Sequence, residues 1–231
     1  MWEIPRIWED GQCIIIGGGA SVPKQFNVPD EIIKEVYAKR LGVDAYSPYM
    51  SAIHDQHIIA VNMAYRLGPW VDCVYFGDNG FLKDQQIEFF AFKGLRITSG
   101  SSIEEGYSGR LKIIERDMIK KRGISWRPNH ICWNGNSGAG AINLAVNFGV
   151  KRIILLGFDM KLDDNNNQHW HKFYTGNLKT VHTTFNLHLK GFPEIAKDLE
   201  GKVEVYNMSM DSVIEDFPKI TLKDAIERGL L

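Results

Sequence analysis

The sequence has 231 residues, of which 44% are hydrophobic and 24% charged, and its formal net charge is −1. A chain of this size can bury a substantial core, and its near-neutral charge with no prominent Lys/Arg block argues against nucleic acid or an anionic membrane as the main partner. No apolar run approaches the roughly 20 residues of a membrane span, and no signal-peptide pattern opens the chain, which predicts a cytoplasmic protein. Cys13, Cys73 and Cys132 each lie in an apolar run and predict buried thiols rather than disulfides.

Short apolar runs alternate with helix-like segments along the chain. The predicted strands are 13–19, 57–62, 71–76, 95–99, 130–134, 151–159 and 202–209. The predicted helices are 29–42, 81–92, 137–149, 183–201 and 221–229, and a proline inside the fourth predicts a kink or a split. This alternation predicts an α/β fold: a single doubly wound, mostly parallel, Rossmann-like sheet with helices on both faces. One nucleotide-binding domain would span residues 1–231, with 102–128 as a lid or an insertion.

A glycine-rich loop follows the first predicted strand, and ligands of doubly wound sheets bind beyond the carboxyl ends of the strands. The loop contains Gly17, Gly18, Gly19 and Ser21. It predicts a nucleotide or phosphate site, because glycine amides can approach a ligand closely; the alternative is a plain tight turn. A dinucleotide fingerprint fits poorly, since Val22 replaces its third glycine and Asn62, not an acid, ends the second strand. The Gly-Lys-Ser/Thr of an ATP P-loop is absent.

Other polar residues follow later strands of the same predicted sheet. Asp78 follows the third strand, and Asn136, Ser137 and Gly138 lead into a predicted helix. Free amides at a helix N-terminus favour an anion, although these glycines could equally serve to pack the helix tightly on the sheet. Both functions are compatible with the sequence.

The loop after the strand 151–159 concentrates groups able to do chemistry. It contains Asp159, Asp163, Asp164, His169 and His171. An imidazole titrates near working pH and suits a general base, whereas His-x-His with nearby acids could also bind a divalent metal. The third interpretation is a solvated loop with incidental histidines. His182 and His188, farther along, are expected to be structural or surface residues.

Four segments carry a resemblance to a known family. They are IIIGGGASV (14–22), AVNMAYRLGPWVDCVYFGDNGF (60–81), NSGAGAINLAVNFGVKRIILLGFDM (136–160) and VEVYNMSMDSVIEDFPKITLKDAI (203–226). In this order they resemble the bacterial sialyltransferases that modify lipooligosaccharide. They also resemble a group of phage and bacterial proteins related to the archaeal 6-hydroxymethylpterin diphosphokinases.

The resemblance implies a sialyltransferase-type fold and a nucleotide site, in which the cytidine monophosphate part of a sugar donor would bind. The residues that would surround the nucleotide are Gly17, Gly19, Ser21, Asn62, Ser137, Gly138, Phe158 and Asp159. A histidine after the Gly-x-Asp strand serves these enzymes as general base, and His169 or His171 matches it. Their phosphate-steadying tyrosines are replaced here by Met160 and Lys161. Lys161 could neutralise a phosphate instead, and Tyr174 could supply a hydroxyl.

Three functional hypotheses follow. The leading one is an inverting, metal-independent glycosyltransferase that uses a CMP-sugar and a sugar or other hydroxyl acceptor and requires no cofactor. The second is a diphosphokinase that transfers diphosphate from ATP, with Mg²⁺ held by Asp159, Asp163 and Asp164. The third is a non-catalytic nucleotide-binding protein. All three imply a small-molecule partner and neither nucleic acid nor membrane, and they leave a homo-oligomer open.

Overall fold

The apolar runs of the sequence form the strands of a central sheet. The computed structural model describes residues 2–82, 86–100, 107, 109–173 and 181–231. Its strands are β1 (Gln12–Ile16), β2 (His57–Val61), β3 (Cys73–Phe76), β4 (Leu95–Thr98), β5 (Lys112–Ile113), β6 (Glu115–Arg116), β7 (His130–Ile131), β8 (Arg152–Leu156) and β9 (Glu204–Asn207). Its α-helices are α1 (Val22–Gln25), α2 (Asp30–Tyr37), α3 (Gln86–Ala91), α4 (Ser137–Phe148), α5 (Val181–Leu189), α6 (Phe192–Leu199) and α7 (Leu222–Glu227). Three 3₁₀-helices span Val43–Ile53, Asn62–Leu67 and Asn79–Leu82.

Within the described residues, seven strands form one sheet in the order β5-β4-β3-β2-β1-β8-β9, and every neighbouring pair is parallel. The short strands β6 and β7 pair separately, also in parallel. The chain runs outward from β1 to β5 and then returns to the other side of β1 through β8. The predicted doubly wound parallel sheet is confirmed, and its topological switch point lies between β1 and β8.

Both faces of the sheet are covered. Along β1, Ile14 and Ile16 belong to one core layer, whereas Cys13 and Ile15 belong to the layer on the opposite face. This alternation of side chains explains why the strands read as continuous apolar runs. The three cysteines are buried free thiols, as predicted.

Several elements are shorter than the sequence predicts. The helix predicted at 183–201 is split into α5 and α6, because Pro193 occupies the first turn of α6, where its missing amide costs no hydrogen bond. The helix predicted from residue 29 to 42 ends at Tyr37, and Lys39 has a positive φ of 59°. The segment 102–128 contributes β5 and β6; since 101–106 and 108 lie outside the described residues, its role as a lid or an insertion stays a prediction.

The part of the chain that the structure describes contains no helix long and apolar enough to cross a membrane.

Asn143 of α4 is fully buried and joins the helix to the segment before it. Its Oδ1 accepts hydrogen bonds from the amides of Ser125 and Cys132, both at 2.8 Å, and its Nδ2 donates to the Ser125 carbonyl at 3.0 Å. We predict that Asn143→Ala lowers the free energy of unfolding by about 2–5 kcal/mol, because it leaves two buried amides unpaired. Urea denaturation measures this. The control Asn165→Ala, at an exposed position, should stay within about 0.5 kcal/mol of the parent, and an equally small loss for Asn143→Ala would refute the assignment.

Candidate functional site

A cavity of about 160 Å³ opens at the switch point between β1 and β8. A cavity of this size holds roughly one benzene-sized ring, so a larger ligand would place one ring in it and extend beyond its mouth. Its lining includes the glycine loop after β1, the turn after β8, the N-terminus of α4 and the returning segment 160–171, together with residues that follow β2 and β3 and residues of α5. The strand ends at which the sequence predicts a site therefore converge.

The glycine loop packs directly on the turn after β8. The Gly19 amide donates to the Gly157 carbonyl at 2.9 Å. A Cβ at Gly17 would lie 2.8 Å from that carbonyl oxygen, and one at Gly19 would lie 2.6 Å from it. A Cβ at Gly18 would lie 2.7 Å from His169 Nδ1. These glycines are needed for close packing, and all three also line the cavity, so the two interpretations of the loop are compatible.

Ser21 and Asp159 bond to each other behind this loop. The Ser21 hydroxyl donates to Asp159 Oδ1 at 2.5 Å, and the Ser21 amide donates to Oδ2 at 2.9 Å. Gln25 Nε2 donates to the Ser21 hydroxyl at 2.7 Å. Neither Ser21 nor Asp159 is among the residues that line the cavity. The pair ties two loops together, and the direct nucleotide contact that the resemblance implies for it stays a prediction.

The N-terminus of α4 forms another wall. Asn136 caps the helix: its Oδ1 accepts from the Ala139 amide at 2.7 Å, and its Nδ2 donates to the His188 carbonyl at 3.1 Å. The Ser137 hydroxyl accepts from the Gly77 amide at 3.2 Å. Both side chains are thus engaged within the protein. The first-turn amides of Ser137 and Gly138 have no intrahelical carbonyl to bond, and both residues line the cavity, so the predicted anion site would lie at this wall.

Gly138 also permits a close contact with the turn after β8. A Cβ there would lie 2.9 Å from the ring of Phe158, which is buried and lines the cavity. The packing interpretation of Gly138 is therefore confirmed, and the anion-binding one stays a prediction. Lys161 is exposed and Met160 lies beside it, both lining the same cavity. Tyr174, the other predicted source of a hydroxyl, lies outside the described residues.

Asn62 follows β2 and lines the cavity from the side opposite β8. Its backbone has a positive φ of 53°, which Asn tolerates better than most residues. Its Oδ1 is buried, and no hydrogen-bond partner for it occurs among the described residues. A buried unpaired acceptor costs about 1–3 kcal/mol, so a ligand donor at this position would relieve a real penalty. Asp78 adds an exposed carboxylate to the lining.

The two histidines of the returning segment lie over the glycine loop. His169 pairs with Gly19 in an isolated antiparallel bridge, and its Nδ1 lies 3.1 Å from the Gly18 carbonyl oxygen. Trp170, fully buried, donates from its amide to the same carbonyl and from Nε1 to the Gly17 carbonyl at 2.9 Å. The bulky Trp170 anchors the segment, and His169 and His171 flank it. The structure therefore brings both predicted histidines to the cavity.

The pKa of His169 is lowered to about 4, mainly by burial; the hydrogen bond to Gly18 opposes this shift, and the charge of Lys172 adds to it. Burial, followed by the neighbouring His169, Arg66 and Lys172, holds the pKa of His171 well below its usual range. The two rings stack with centroids 5.0 Å apart. Both imidazoles are therefore neutral at pH 7, as a proton acceptor must be.

The tautomers follow from the hydrogen bonds. Because a carbonyl only accepts, His169 carries its proton on Nδ1, which leaves Nε2 as its proton-accepting atom. In His171, Nδ1 accepts from the Phe173 amide at 3.4 Å, which places the proton on Nε2. The two neighbouring rings thus differ in chemistry: His169 Nε2 is basic, whereas His171 Nε2 is a donor.

Two of the three carboxylates of the same loop, Asp159 and Asp163, are engaged internally, whereas Asp164 is exposed. Both oxygens of Asp163 accept hydrogen bonds from Asn167, and Oδ1 also accepts from the Asn165 amide at 2.9 Å. Asp159 is bonded to Ser21. In the described ranges, no three His, Cys, Asp or Glu side chains are grouped so as to hold a metal ion. The geometry gives the magnesium hypothesis no support.

The sequence analysis missed several residues of the cavity. His188, expected to be structural or on the surface, lines it, and burial lowers the pKa of His188, against the opposing charge of Asp78. Trp133, Gln168 and Phe185 line it too. Trp133 comes shortly after β7, and the predicted polar residues likewise follow strands. Its position after a strand could therefore have indicated that it lines the site. Nothing in the sequence indicates that α5 would return to Asn136. The side chain of His182 lies outside the described residues.

Known proteins share this fold at low sequence identity. The structure is similar to the MAf glycosyltransferase from Magnetospirillum magneticum AMB-1, with a TM-score of 0.54 and 12% identity over 100% of this chain; the chain spans 38% of that protein's length. It also matches the sialyltransferase CstII from Campylobacter jejuni in complex with cytidine-5′-monophosphate, with a TM-score of 0.49 and 15% identity, covering 91% of this chain and 84% of that one. No protein-family model and no curated protein sequence matches the chain.

The depressed pKa of His169 predicts a pH dependence of stability. An unfolded histidine titrates near 6.5 and the folded one at about 4. Between these values the unfolded chain binds a proton that the folded one does not, so the free energy of unfolding falls as pH is lowered. We predict that His169→Gln removes about 1.4 kcal/mol per pH unit from the slope between pH 6.5 and about 4, measured by urea denaturation.

Tyr37→Phe is the matched control for this experiment. Its hydroxyl donates to the His169 carbonyl at 3.0 Å, so the variant loses a bond to the same residue without losing a titrating imidazole. It should lower stability equally at all pH values in the window. If the free energy of unfolding of His169→Gln depended on pH as steeply as that of the parent protein, the lowered pKa assigned to His169 would be wrong.

Proposed function

We propose that this protein is a nucleotide-sugar-dependent glycosyltransferase, sialyltransferase-like, that takes a CMP-sugar donor and inverts the anomeric centre without a metal. The sequence resemblance supports this proposal, as does a fold shared with a glycosyltransferase. The observation that carries it is that one cavity is lined both by His169, a half-buried histidine that is neutral at pH 7, and by the helix N-terminus at Ser137 and Gly138.

The leaving phosphate would bind at the amides of Ser137 and Gly138. The dipole of α4, a helix of twelve residues, favours negative charge there, and Lys161 adds a cation at the same cavity. These groups stabilise the charge that develops on the nucleotide as the glycosidic C–O bond breaks. The orphan Oδ1 of Asn62 would accept a hydrogen bond from a donor group of the nucleotide.

His169 would act as the general base. Its Nε2 takes the proton of the acceptor hydroxyl while the hydroxyl oxygen attacks the anomeric carbon from the side opposite the phosphate. The bond to the phosphate breaks with its electron pair, and the nucleotide leaves as an anion. His171 stacks on His169 and helps to keep the His169 ring in place, and the Trp170 ring packs edge-on against His171. The Gly18 carbonyl fixes the tautomer, as a third group does in other base-assisted sites.

The donor is tested first by thermal shift with CMP, CDP, UDP, GDP, ATP and NAD, each with and without Mg²⁺. We expect a cytidine nucleotide to raise the Tm without metal, by about 5–10 °C at a concentration of about 100 Kd. Asn62→Gly should lower its affinity about tenfold while the free energy of unfolding changes by no more than about 1 kcal/mol, since glycine accepts a positive φ.

Other outcomes of the same panel separate the alternatives. Stabilisation by ATP only with Mg²⁺ would replace this proposal by the diphosphokinase. Tight binding of a cytidine nucleotide with no turnover of any CMP-sugar would indicate a non-catalytic binding protein. No stabilisation by any nucleotide would limit the resemblance to the fold.

The base is tested by His169→Gln with a CMP-sugar that the parent protein turns over. We expect turnover to fall about a hundredfold or more, while nucleotide affinity changes less than about threefold. His171→Gln should retain more activity than His169→Gln, because its Nε2 is a donor. The control His57→Gln alters the first residue of β2, whereas the cavity lies at the other end of that strand, beside Val61 and Asn62. This control should therefore leave turnover unchanged. Equal activity of His169→Gln and the parent would eliminate the proposed role.

A further inference from the structure

Two large apolar side chains in the segment after β6 project into solvent. Met118 is 73% exposed and Ile119 is 90% exposed, and they are consecutive in the chain. Trp126, eight residues after Met118, is 51% exposed. Single exposed apolar residues are ordinary on protein surfaces, whereas exposed apolar residues that cluster are typical of interaction surfaces.

The loop that carries these side chains is firmly held. Asp117 is buried, and its Oδ1 accepts from the amides of Ile119 and Lys120 at 3.0 and 2.9 Å. Its Oδ2 accepts from the Ser125 hydroxyl at 2.7 Å. Asn134 Oδ1 accepts from the Gly123 amide at 2.7 Å. Met118 and Ile119 therefore project because the hydrogen bonds of the loop place them outward.

The segment that carries this tip is rich in basic residues. Residues 118–128 contain Lys120, Lys121, Arg122 and Arg127 and no acidic residue. Lys120 is paired with Asp198, but Lys121 and Arg122 are exposed and line a groove together with Lys190. In the described part of the chain, no ion pair involves Lys121, Arg122 or Lys190. The surface thus combines an apolar tip with unpaired cations.

We propose that this surface, the docking tip of Met118, Ile119, Lys121 and Arg122, binds an anionic lipid bilayer. The two apolar side chains would enter the boundary between headgroups and acyl chains, while the cations contact the headgroup charges. This differs from the sequence-based expectation of no membrane partner, which rested on net charge, on the lack of a prominent Lys/Arg block and on the lack of a membrane span. Residues 120–122 are a short run of basic residues that this expectation did not take into account. An overall charge near zero does not reveal a local cluster, and peripheral binding requires no spanning helix.

The docking tip is also placed to serve the candidate site. Trp133 and Gly135 line both the basic groove and the cavity. A bilayer bound at the tip would therefore lie beside the mouth of the cavity, where a hydroxyl on a lipid-borne acceptor could reach it. Only this last step rests on the proposed function; the docking itself does not.

The test is flotation of the full chain, without nucleotide, with vesicles of phosphatidylcholine alone or with about 30% phosphatidylserine. We expect binding to the anionic vesicles only, and loss of most of it between about 0.1 M and 1 M salt. Met118→Ser with Ile119→Ser should weaken binding about tenfold or more. Lys121→Gln with Arg122→Gln should also weaken vesicle binding, by about fivefold for each cation removed.

Matched controls come from other surfaces of the protein. Leu41→Ser with Ile226→Ser removes two exposed apolar side chains, and Lys24→Gln with Lys34→Gln removes two exposed cations. Both controls should float like the parent, and the Tm of every variant verifies its folding. Parental binding by the tip variants, equal loss in the controls, or no flotation of the parent protein would overturn the proposal. So would self-association of the parent that the Met118/Ile119 variant abolishes without any vesicle binding, since the tip would then contact a second copy.

Discussion

The close packing of the turns after β1 and β8 is the constraint on which the candidate site depends. Gly17 and Gly19 lie so near the Gly157 carbonyl that a Cβ on either would clash with it. The bonds between Ser21 and Asp159 fasten the same two turns from behind. In a parallel sheet these turns meet where the strand order reverses. Their backbone atoms therefore close the back of the crevice, and its mouth stays open.

This packing also determines the chemistry of the returning segment. With the glycine loop held flat against β8, its Gly17 and Gly18 carbonyls accept hydrogen bonds from Trp170 and His169. Next to the fully buried Trp170, His171 is buried and His169 is half-buried. Their neutrality is thus a consequence of how the segment folds back, and the tautomer of His169 is a consequence of which backbone atom it meets.

Features encoded locally could be predicted from the sequence, and features encoded by tertiary contact could not. The apolar strands, the glycine loop and the Asn-Ser-Gly start of α4 are each readable within a few residues. The pairing of Ser21 with Asp159 joins positions 138 residues apart, and it engages two side chains for which the resemblance implies a ligand contact. His188 and Trp133 reach the cavity only through the packing of α5 and β7. For the helix that contains Pro193, the sequence predicts either a kink or a split, and the structure shows the split.

A pKa of about 4 would make His169 a weak base at neutral pH, because general bases work best when their pKa is close to that of the medium. Burial depresses this pKa by disfavouring the imidazolium, and nearby negative charge has the opposite effect. Under the proposed function, the nucleotide phosphate would bring such charge to the N-terminus of α4, which lines the same cavity. Donor binding would then raise the basicity of His169 when the acceptor proton must be removed. Lys161 works against this effect, so the balance between the phosphate and that lysine would set the strength of the base.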